Sequence, residues 1–253
     1  MKRLVIKVGT AVLTQDGELA YERMKNLVKL IATLKNEKNI DVILVSSGAV
    51  GAGYTSLKLD KSILANKQTL AAIGQPKLMK TYQEMFEEFG ITVAQMLFIA
   101  DDFDSRKRSK NAKNVMEILL KNKVLPIINE NDVISTEELI GDNDQLAAYV
   151  THYFKADMLS ILTDIDGYYN KNPREFNDAE ILKVVNVISE EELNKQPTAN
   201  SKFATGGIVT KLKAADFLMQ KNIPMYLTSG FDLTNAYEFL VDNKHNSGTI
   251  FKK

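Results

Sequence analysis

The chain has 253 residues, of which 45% are hydrophobic and 25% are charged, and this is enough for one large α/β domain with a sizeable core. Lysine plus arginine equals aspartate plus glutamate at 32 each, a balance that argues against a protein devoted to nucleic acid. The absence of cysteine excludes disulfides and thiolate metal sites and suits the cytosol, and no apolar stretch approaches the length of a membrane span.

Short apolar runs recur along the chain, and each of them stops at a polar or glycine-containing turn. Continuous runs of this length predict strands that are buried on both faces. The runs are residues 4–6, 42–45, 93–99, 124–128, 158–162 and 224–227. Apolar residues at helical spacing predict helices between them, around residues 24–34, 70–89 (interrupted at Gly74 and Pro76), 115–119 and 212–219. This alternation predicts an α/β fold with a mostly parallel central sheet covered on both faces.

In such sheets ligands bind beyond the carboxyl ends of the strands, where the polar turns fall. Lys7 ends the first strand beside Gly9, a place where an ammonium group can face a transferring phosphoryl group. The alternative is a solvated lysine next to a turn.

The turn SSGAVGAG (46–53) after the second strand has small residues that permit close backbone approach to an anion. It matches neither the dinucleotide fingerprint nor the P-loop, and the alternative is a turn required only for packing. We expect two irregular excursions over the site, at residues 57–68 and 133–140.

The stretch NENDVISTEELIGDND (129–144) carries two acid–amide clusters that bracket a segment containing Gly141. Two tight clusters of short polar side chains suit a site that holds an ammonium group, a metal ion or catalytic lysines. The alternative is a pair of ordinary turns, since asparagine, aspartate and glycine dominate turns.

Two later segments suit nucleotide binding. Thr163 and Asp164 end the fifth major strand, and TGGIVTK (205–211) leads into a helix that starts near Val209. Glycine amides and Lys211 at a helix N-terminus suit phosphate, and a lysine in a first turn opposes the helix dipole and needs a reason. The alternatives are an ordinary turn with buried tyrosines after the strand, and a flexible loop followed by a helix start for residues 205–211. The basic run at residues 101–113 predicts a solvated helix start rather than a nucleic-acid patch.

Taken together and in order, these segments resemble the amino acid kinase family, and within it the members that phosphorylate glutamate. The matching segments are IKVGTAVLT (6–14), SSGAVGAG (46–53), KQTLAAIGQ (67–75), PIINENDVI (126–134), GDND (141–144), ILTDIDGYYNKNP (161–173) and TGGIVTKLKAA (205–215). The resemblance implies a three-layer α/β/α sandwich over a single domain, residues 1–253. Its N-terminal part would mainly bind substrate and its C-terminal part ATP, without the C-terminal PUA domain of many relatives.

The implied reaction transfers the γ-phosphoryl group of ATP to the side-chain carboxylate of glutamate, which gives glutamyl 5-phosphate at the start of proline biosynthesis. A carboxylate nucleophile is already ionised at neutral pH, so the reaction needs no histidine base. This agrees with a chain that has only two histidines.

The resemblance also implies roles for individual residues. Lys7 and Lys211 would contact the phosphates from opposite sides, with Asp144 orienting both lysines. Glutamate would be bound by Ser47, Asp132 and Asn143. The ATP contacts would be Lys7, Thr163, Asp164, Thr205, Gly206, Gly207, Ile208, Val209, Thr210 and Lys211. Mg²⁺ would sit among phosphate oxygens and waters without a dedicated protein ligand.

The resemblance further implies L-glutamate and ATP as substrates, proline as a feedback inhibitor, a downstream glutamyl phosphate reductase, a homo-oligomer and a cytoplasmic location. We expect no membrane or nucleic-acid partner.

Three alternative functions stay open. One is a kinase of the same fold that acts on aspartate, acetylglutamate, carbamate or UMP. Another is a Rossmann-type dehydrogenase, and the third is a non-catalytic amino-acid sensor, which would have no need of both lysines and Asp144.

Overall fold

The structure is a computed structural model that describes residues 1–99, 101–135, 143–173, 175–194 and 207–253. Its strands are β1 (Arg3–Val8), β2 (Thr14–Gln15), β3 (Glu18–Leu19), β4 (Asp41–Ser46), β5 (Val93–Phe98), β6 (Leu125–Glu130), β7 (Met158–Thr163), β8 (Val184–Val185), β9 (Met225–Ser229) and β10 (Thr249–Phe251). Its α-helices are α1 (Thr10–Leu13), α2 (Tyr21–Ala32), α3 (Ala49–Tyr54), α4 (Leu64–Glu87), α5 (Asp101–Asp104), α6 (Arg106–Lys121), α7 (Asn143–Tyr153), α8 (Glu190–Leu193), α9 (Ile208–Gln220) and α10 (Thr234–Leu240). A π-helical turn, Thr33–Glu37, extends α2.

Within the described ranges, eight strands form the central sheet in the order β5-β6-β4-β1-β7-β9-β10-β8. The six strands expected from apolar runs are all present, and each is parallel to its neighbours among the six. The short strand β10 runs antiparallel to β9, and β2 pairs with β3 in a separate hairpin. Strands β2, β3 and β10 carry no apolar run of the expected length, and the sequence did not predict them.

The sheet is covered on both faces, which confirms the three-layer sandwich. Alternate residues of β1 face opposite layers: Leu4 and Ile6 belong to one apolar core with α2 and α4, whereas Val5 belongs to the other with α6, α7 and α9. This two-sided burial explains why the central strands are continuous apolar runs rather than alternating patterns. None of the helices in the described ranges is both long enough and apolar enough to cross a membrane.

Helix α4 corrects one expectation, because it continues without interruption through Gly74 and Pro76. Gly74 is needed for packing: a Cβ atom there would lie 1.8 Å from the carbonyl oxygen of Ala49 in α3. Proline inside a helix removes one backbone hydrogen bond, but here the close contact with α3 and the core holds the helix together. The same helix starts at Leu64, so only residues 57–63 of the expected excursion 57–68 lie outside it.

Helix α6 was predicted correctly, but the apolar face read from its sequence was wrong. Val115 and Ile118 are 48% and 62% exposed, and the buried residues are Met116 and Leu120. The basic residues at the start of α6 are largely exposed, and Ser105 caps the helix by accepting a hydrogen bond from the Arg108 amide. The solvated helix start is therefore confirmed. The second expected excursion, residues 133–140, lies mostly outside the described residues.

The parallel strands bring several polar turns to one edge of the sheet. Val8 near the end of β1 stands beside Ser46 of β4 and Leu162 of β7. Just beyond, the Gly9 amide donates to the Leu162 carbonyl at 3.0 Å, and the Ser47 amide donates to the Val8 carbonyl at 3.3 Å. The turns after β1, β4 and β7 thus meet at the carboxyl edge, where the sequence placed a site.

Candidate active site

A buried carboxylate between two lysines forms the centre of this edge. Lys7 Nζ lies 2.5 Å from Asp144 Oδ1, and Lys211 Nζ lies 3.1 Å from Asp144 Oδ2. Lys7 comes from the end of β1, Asp144 from the first turn of α7 and Lys211 from the first turn of α9. The three residues are nearly inaccessible to solvent, at 6%, 1% and 4% exposure. The structure therefore brings together all three residues expected to act in catalysis.

The Asp144 carboxylate is stabilised in its charged form. Burial by itself would raise the pKa of Asp144, but the charges of Lys7 and Lys211, with hydrogen bonds from Lys7 and Thr210, hold that pKa below its ordinary value. The first turn of α7 adds to this effect, since the partial positive charge of a helix N-terminus favours an anion. Two ammonium groups on one ionised carboxylate leave an excess of one positive charge among these three side chains.

Thr210 supports the same carboxylate, a role that its sequence position did not reveal. Its hydroxyl lies 2.9 Å from Asp144 Oδ2 and 3.0 Å from the Gly207 carbonyl oxygen, so one hydrogen is within reach of both acceptors. Thr210 precedes Lys211 in α9, so two consecutive residues of this helix contact Asp144. The spacing of the glycine-rich segment indicated phosphate binding but gave no sign of a link to α7.

A second cluster of polar side chains lies next to the first and is built around Asn143. The side-chain nitrogen of Asn143 lies 3.0 Å from Ser47 Oγ, 3.2 Å from the Ser46 carbonyl oxygen and 2.9 Å from Asn129 Oδ1. These acceptors come from the ends of β4 and β6, so the cluster joins two strand ends to the start of α7. Ser47 and Asn143, both expected to bind substrate, are in direct contact.

The partners of Asn143 fix the orientation of its amide. Its nitrogen donates to oxygen acceptors only, and Asn129 is itself oriented because its nitrogen donates to Gln75 Oε1 at 2.9 Å. The Asn143 Oδ1 atom is buried and has no hydrogen-bond partner among the described residues. An unpaired buried acceptor is costly, so this atom is suited to receive an N–H donor from a ligand. Asn129 belongs to the NEND cluster, but the sequence pattern alone indicated no separate role for it.

Asp132 follows β6 and is partly buried near a second carboxylate. Burial, and after it the charge of Glu130, raises the pKa of Asp132 to about 7. Glu130 is buried and accepts a hydrogen bond from the Ser135 hydroxyl. Such a pair of carboxylates favours a cationic ligand, because an ammonium group would restore the ionised form of Asp132.

The residues expected to bind nucleotide lie on the other side of Lys7. Thr163 ends β7, and its hydroxyl donates to Asp164 Oδ1 at 3.0 Å. A Cβ atom placed on Gly9 would lie 3.8 Å from Thr163 Oγ1 and 3.9 Å from Lys7 Nζ, so these groups are close neighbours. The glycine leaves the space between the lysine and the threonine open.

Helix α9 begins at Ile208, with Gly207 as its N-cap residue. Val209 is buried and Ile208 packs against the core, so their side chains are directed away from solvent. Contacts from this part of the segment to a phosphate would therefore be made by backbone N–H groups. Thr205 and Gly206, together with Gly141 and Asp142, lie outside the described residues.

The described residues contain no group of three or more histidine, cysteine, aspartate or glutamate side chains placed to hold a metal ion. Both oxygens of Asp144 lie against lysines.

The chain is similar to known proteins over nearly its whole length. A family model described as the amino acid kinase family matches residues 2–229. A glutamate 5-kinase of Wolinella succinogenes is 56% identical over 256 residues, which cover 99% of this chain and 98% of that protein. A glutamate 5-kinase of Leishmania donovani is 51% identical, with 99% of this chain and 95% of that protein covered.

Solved structures of much lower identity are similar in fold. A product complex of the isopentenyl phosphate kinase of T. acidophilum superposes with a TM-score of 0.68 at 14% identity and covers 98% of this chain and 99% of that one. At such low identity the likeness extends to the fold and not to the substrate.

Proposed function

This chain belongs to the amino acid kinase family, and we propose that it carries out the reaction for which its close relatives are named. It transfers the γ-phosphoryl group of ATP to the side-chain carboxylate of glutamate. A carboxylate oxygen forms a bond to the γ-phosphorus while the bond from that phosphorus to the β–γ bridging oxygen breaks, and ADP leaves. The product is glutamyl 5-phosphate, an acyl phosphate, and the step opens proline biosynthesis.

The observation that supports this proposal best is the pair of lysines on Asp144. Phosphoryl transfer needs little covalent chemistry from the protein, so catalysis depends on positioning and on stabilising the charge that develops on the transferring group. Lys7 and Lys211 approach one carboxylate from different elements and leave an excess positive charge where that group would lie. Asp144 holds the two ammonium groups in fixed positions and does not itself contact the substrate.

Glutamate binds beside this centre, at the cluster built on Asn143. Its α-ammonium group donates to Asn143 Oδ1, the buried acceptor that lacks a partner among the described residues, and pairs with Asp132. Ser47 lies in contact with Asn143 and contributes its hydroxyl to the same subsite. The side-chain carboxylate of glutamate then extends toward Lys7 and Lys211, where the phosphoryl group arrives.

ATP binds across the ends of β7 and α9. The triphosphate lies at the N-terminus of α9, where the amides following Gly207 and the helix dipole favour an anion. Thr163 and Asp164 contribute from the end of β7. We assign Thr205 and Gly206 to the same loop on the sequence alone. Mg²⁺ supplies charge neutralisation on the phosphates when it arrives with ATP, and no side chain is assigned to it.

The other expected properties are also proposals. They are a cytoplasmic location, a homo-oligomeric assembly, inhibition by proline and transfer of the labile acyl phosphate to a reductase. They follow from membership of the family, and none of the contacts described above depends on them.

The test is turnover of MgATP with glutamate, aspartate, acetylglutamate and UMP offered separately, with hydroxylamine present to trap any acyl phosphate. We expect glutamate-dependent hydroxamate and none from the other acceptors. Turnover with a different acceptor would keep the roles of the lysines but would contradict the glutamate subsite at Asp132 and Asn143. Failure of all four acceptors would contradict the enzymatic function.

A further inference from the structure

A buried tyrosine lies behind the glutamate subsite, and no role has been assigned to it. Tyr82 of α4 is 0% exposed, and its hydroxyl oxygen lies 3.0 Å from Ser46 Oγ at the end of β4. Ser46 directly precedes Ser47, which belongs to the subsite. We propose that Tyr82 and Ser46 are positioning residues for glutamate, which hold the Ser47 turn in the geometry that binds the substrate.

The direction of the hydrogen bonds follows from the atoms involved. Ser46 Oγ also lies 3.0 Å from the Ser47 carbonyl oxygen, which can only accept. The single hydroxyl hydrogen of Ser46 is therefore used on Ser47, and Tyr82 donates its own hydrogen to Ser46 Oγ. Burial raises the pKa of the Tyr82 phenol above its ordinary value, so Tyr82 remains a donor throughout the working range. The result is a directed chain from Tyr82 through Ser46 to the backbone of Ser47.

The turn is held from two sides. Asn143 reaches it from α7, through the Ser46 carbonyl oxygen and Ser47 Oγ, and Tyr82 reaches it from α4. The next residue, Gly48, has a φ of 99°, a left-handed conformation that glycine adopts readily. Without the Tyr82 bond, the Ser46–Ser47 turn would keep its hydrogen bonds to Asn143 and to the Val8 carbonyl, but it would lose its link to α4, and the subsite would hold its shape less firmly.

This inference rests on the proposed glutamate subsite, and it concerns binding rather than phosphoryl transfer. The Tyr82 hydroxyl bonds to Ser46, whereas both lysines contact Asp144. Tyr82→Phe removes one buried hydrogen bond while the ring, stacked on Phe86, stays in place. A bond of this kind is worth about 1 kcal/mol, so we expect the KM for glutamate to rise roughly fivefold. Turnover at saturation and the KM for ATP should change by less than about twofold, within the scatter of distant substitutions.

Tyr226→Phe is the matched control. Tyr226 is also 0% exposed, and its hydroxyl donates to the Ser247 carbonyl oxygen at 2.9 Å, away from the subsite. Both variants should lose a similar amount of folding stability, but only Tyr82→Phe should change the KM for glutamate. Ser46→Ala breaks the same chain from the other end, and combining it with Tyr82→Phe should add little to either single effect.

The outcomes separate this inference from the function on which it rests. If the unaltered enzyme forms no glutamyl hydroxamate, the proposed function is wrong. If Ser47→Ala raises the KM for glutamate and Tyr82→Phe does not, the subsite stands and Tyr82 is purely structural. Equal changes in the KM values for glutamate and ATP would also overturn the inference. If Tyr82→Phe fails to fold, the KM values for glutamate and ATP are compared in Ser46→Ala instead.

Discussion

Lys211 Nζ lies 3.1 Å from Asp144 Oδ2, and each of these residues stands in the first turn of its own helix. The dipole of α7 favours the carboxylate of Asp144, whereas the dipole of α9 disfavours the ammonium group of Lys211. The contact between them offsets the unfavourable position of the lysine. The position of the lysine has a functional reason, because the N-terminus of α9 is where the phosphates of ATP are expected to bind.

Lys211→Ala should lower turnover by roughly 100-fold or more, because it removes a charge that acts most strongly on the transition state. Asp144 would retain Lys7 as a partner, so the fold should survive. Lys213→Ala is the matched control, since Lys213 is an exposed lysine of the same helix. Steady-state kinetics with circular dichroism would check both variants. Near-normal turnover in Lys211→Ala would remove this lysine from the mechanism.

Thr210→Val should lower turnover by about tenfold while the KM for glutamate changes little. The substitution keeps the shape of the side chain but removes a hydrogen bond to the Asp144 carboxylate, and bonds to charged groups contribute about 1.5–3 kcal/mol. Thr210→Ser restores the hydroxyl and should restore most of the turnover. If the valine and serine variants behave alike, the hydroxyl does not orient Asp144.

The KM for glutamate should rise as the pH falls through about 7, because the pKa of Asp132 is raised to about 7 in the free protein. Above this pH Asp132 is a carboxylate that can pair with the α-ammonium group, and below it the group is protonated and uncharged. For a single group with this pKa, the KM for glutamate should be about tenfold higher at pH 6 than at pH 8.

The matched variant for this pH effect is Asp132→Asn, which has no titrating group at the position. In this variant the KM for glutamate should be high at all pH values and should not change near pH 7. If the KM for glutamate still changes near pH 7 in the asparagine variant, a group other than Asp132 causes the change.

The strand ends could be predicted from the sequence because burial on both faces leaves continuous apolar runs. The contacts between Asp144, Lys7 and Lys211 could be expected only through a family resemblance, since they depend on the order of strands in the sheet. Local patterns do not encode which turn lies beside which. The same limit explains why the roles of Thr210 and Asn129 were missed, because each contacts a residue far away in the sequence.

Other errors came from applying local rules where tertiary packing decides. In α6, Val115 and Ile118 have helical spacing but face solvent, because Met116 and Leu120 fill the contact with the core. In α4, glycine and proline indicated a break, yet the helix continues. A glycine in a helix weakens it by about 1 kcal/mol relative to alanine, which is less than the gain from a close helix–helix contact.

Gly74→Ala tests that contact. The added methyl group would lie 1.8 Å from the Ala49 carbonyl oxygen and 2.4 Å from the Gly53 amide nitrogen, so α3 and α4 must separate. We expect the free energy of unfolding to fall by about 3 kcal/mol or more, although alanine is the better helix former. Because α3 follows the Ser47 turn, the KM for glutamate should rise as well.

The control for this prediction is Ala72→Ser, a similarly small change at an exposed position of the same helix. It should cost about 0.5 kcal/mol, in line with the difference in helix propensity, and should leave the KM for glutamate unchanged. Urea unfolding followed by circular dichroism measures the stability of both variants. If Gly74→Ala were as stable as the original protein, the two helices could not be as close as the structure places them. Glycine at this position would then not be required for the packing of α4 against α3.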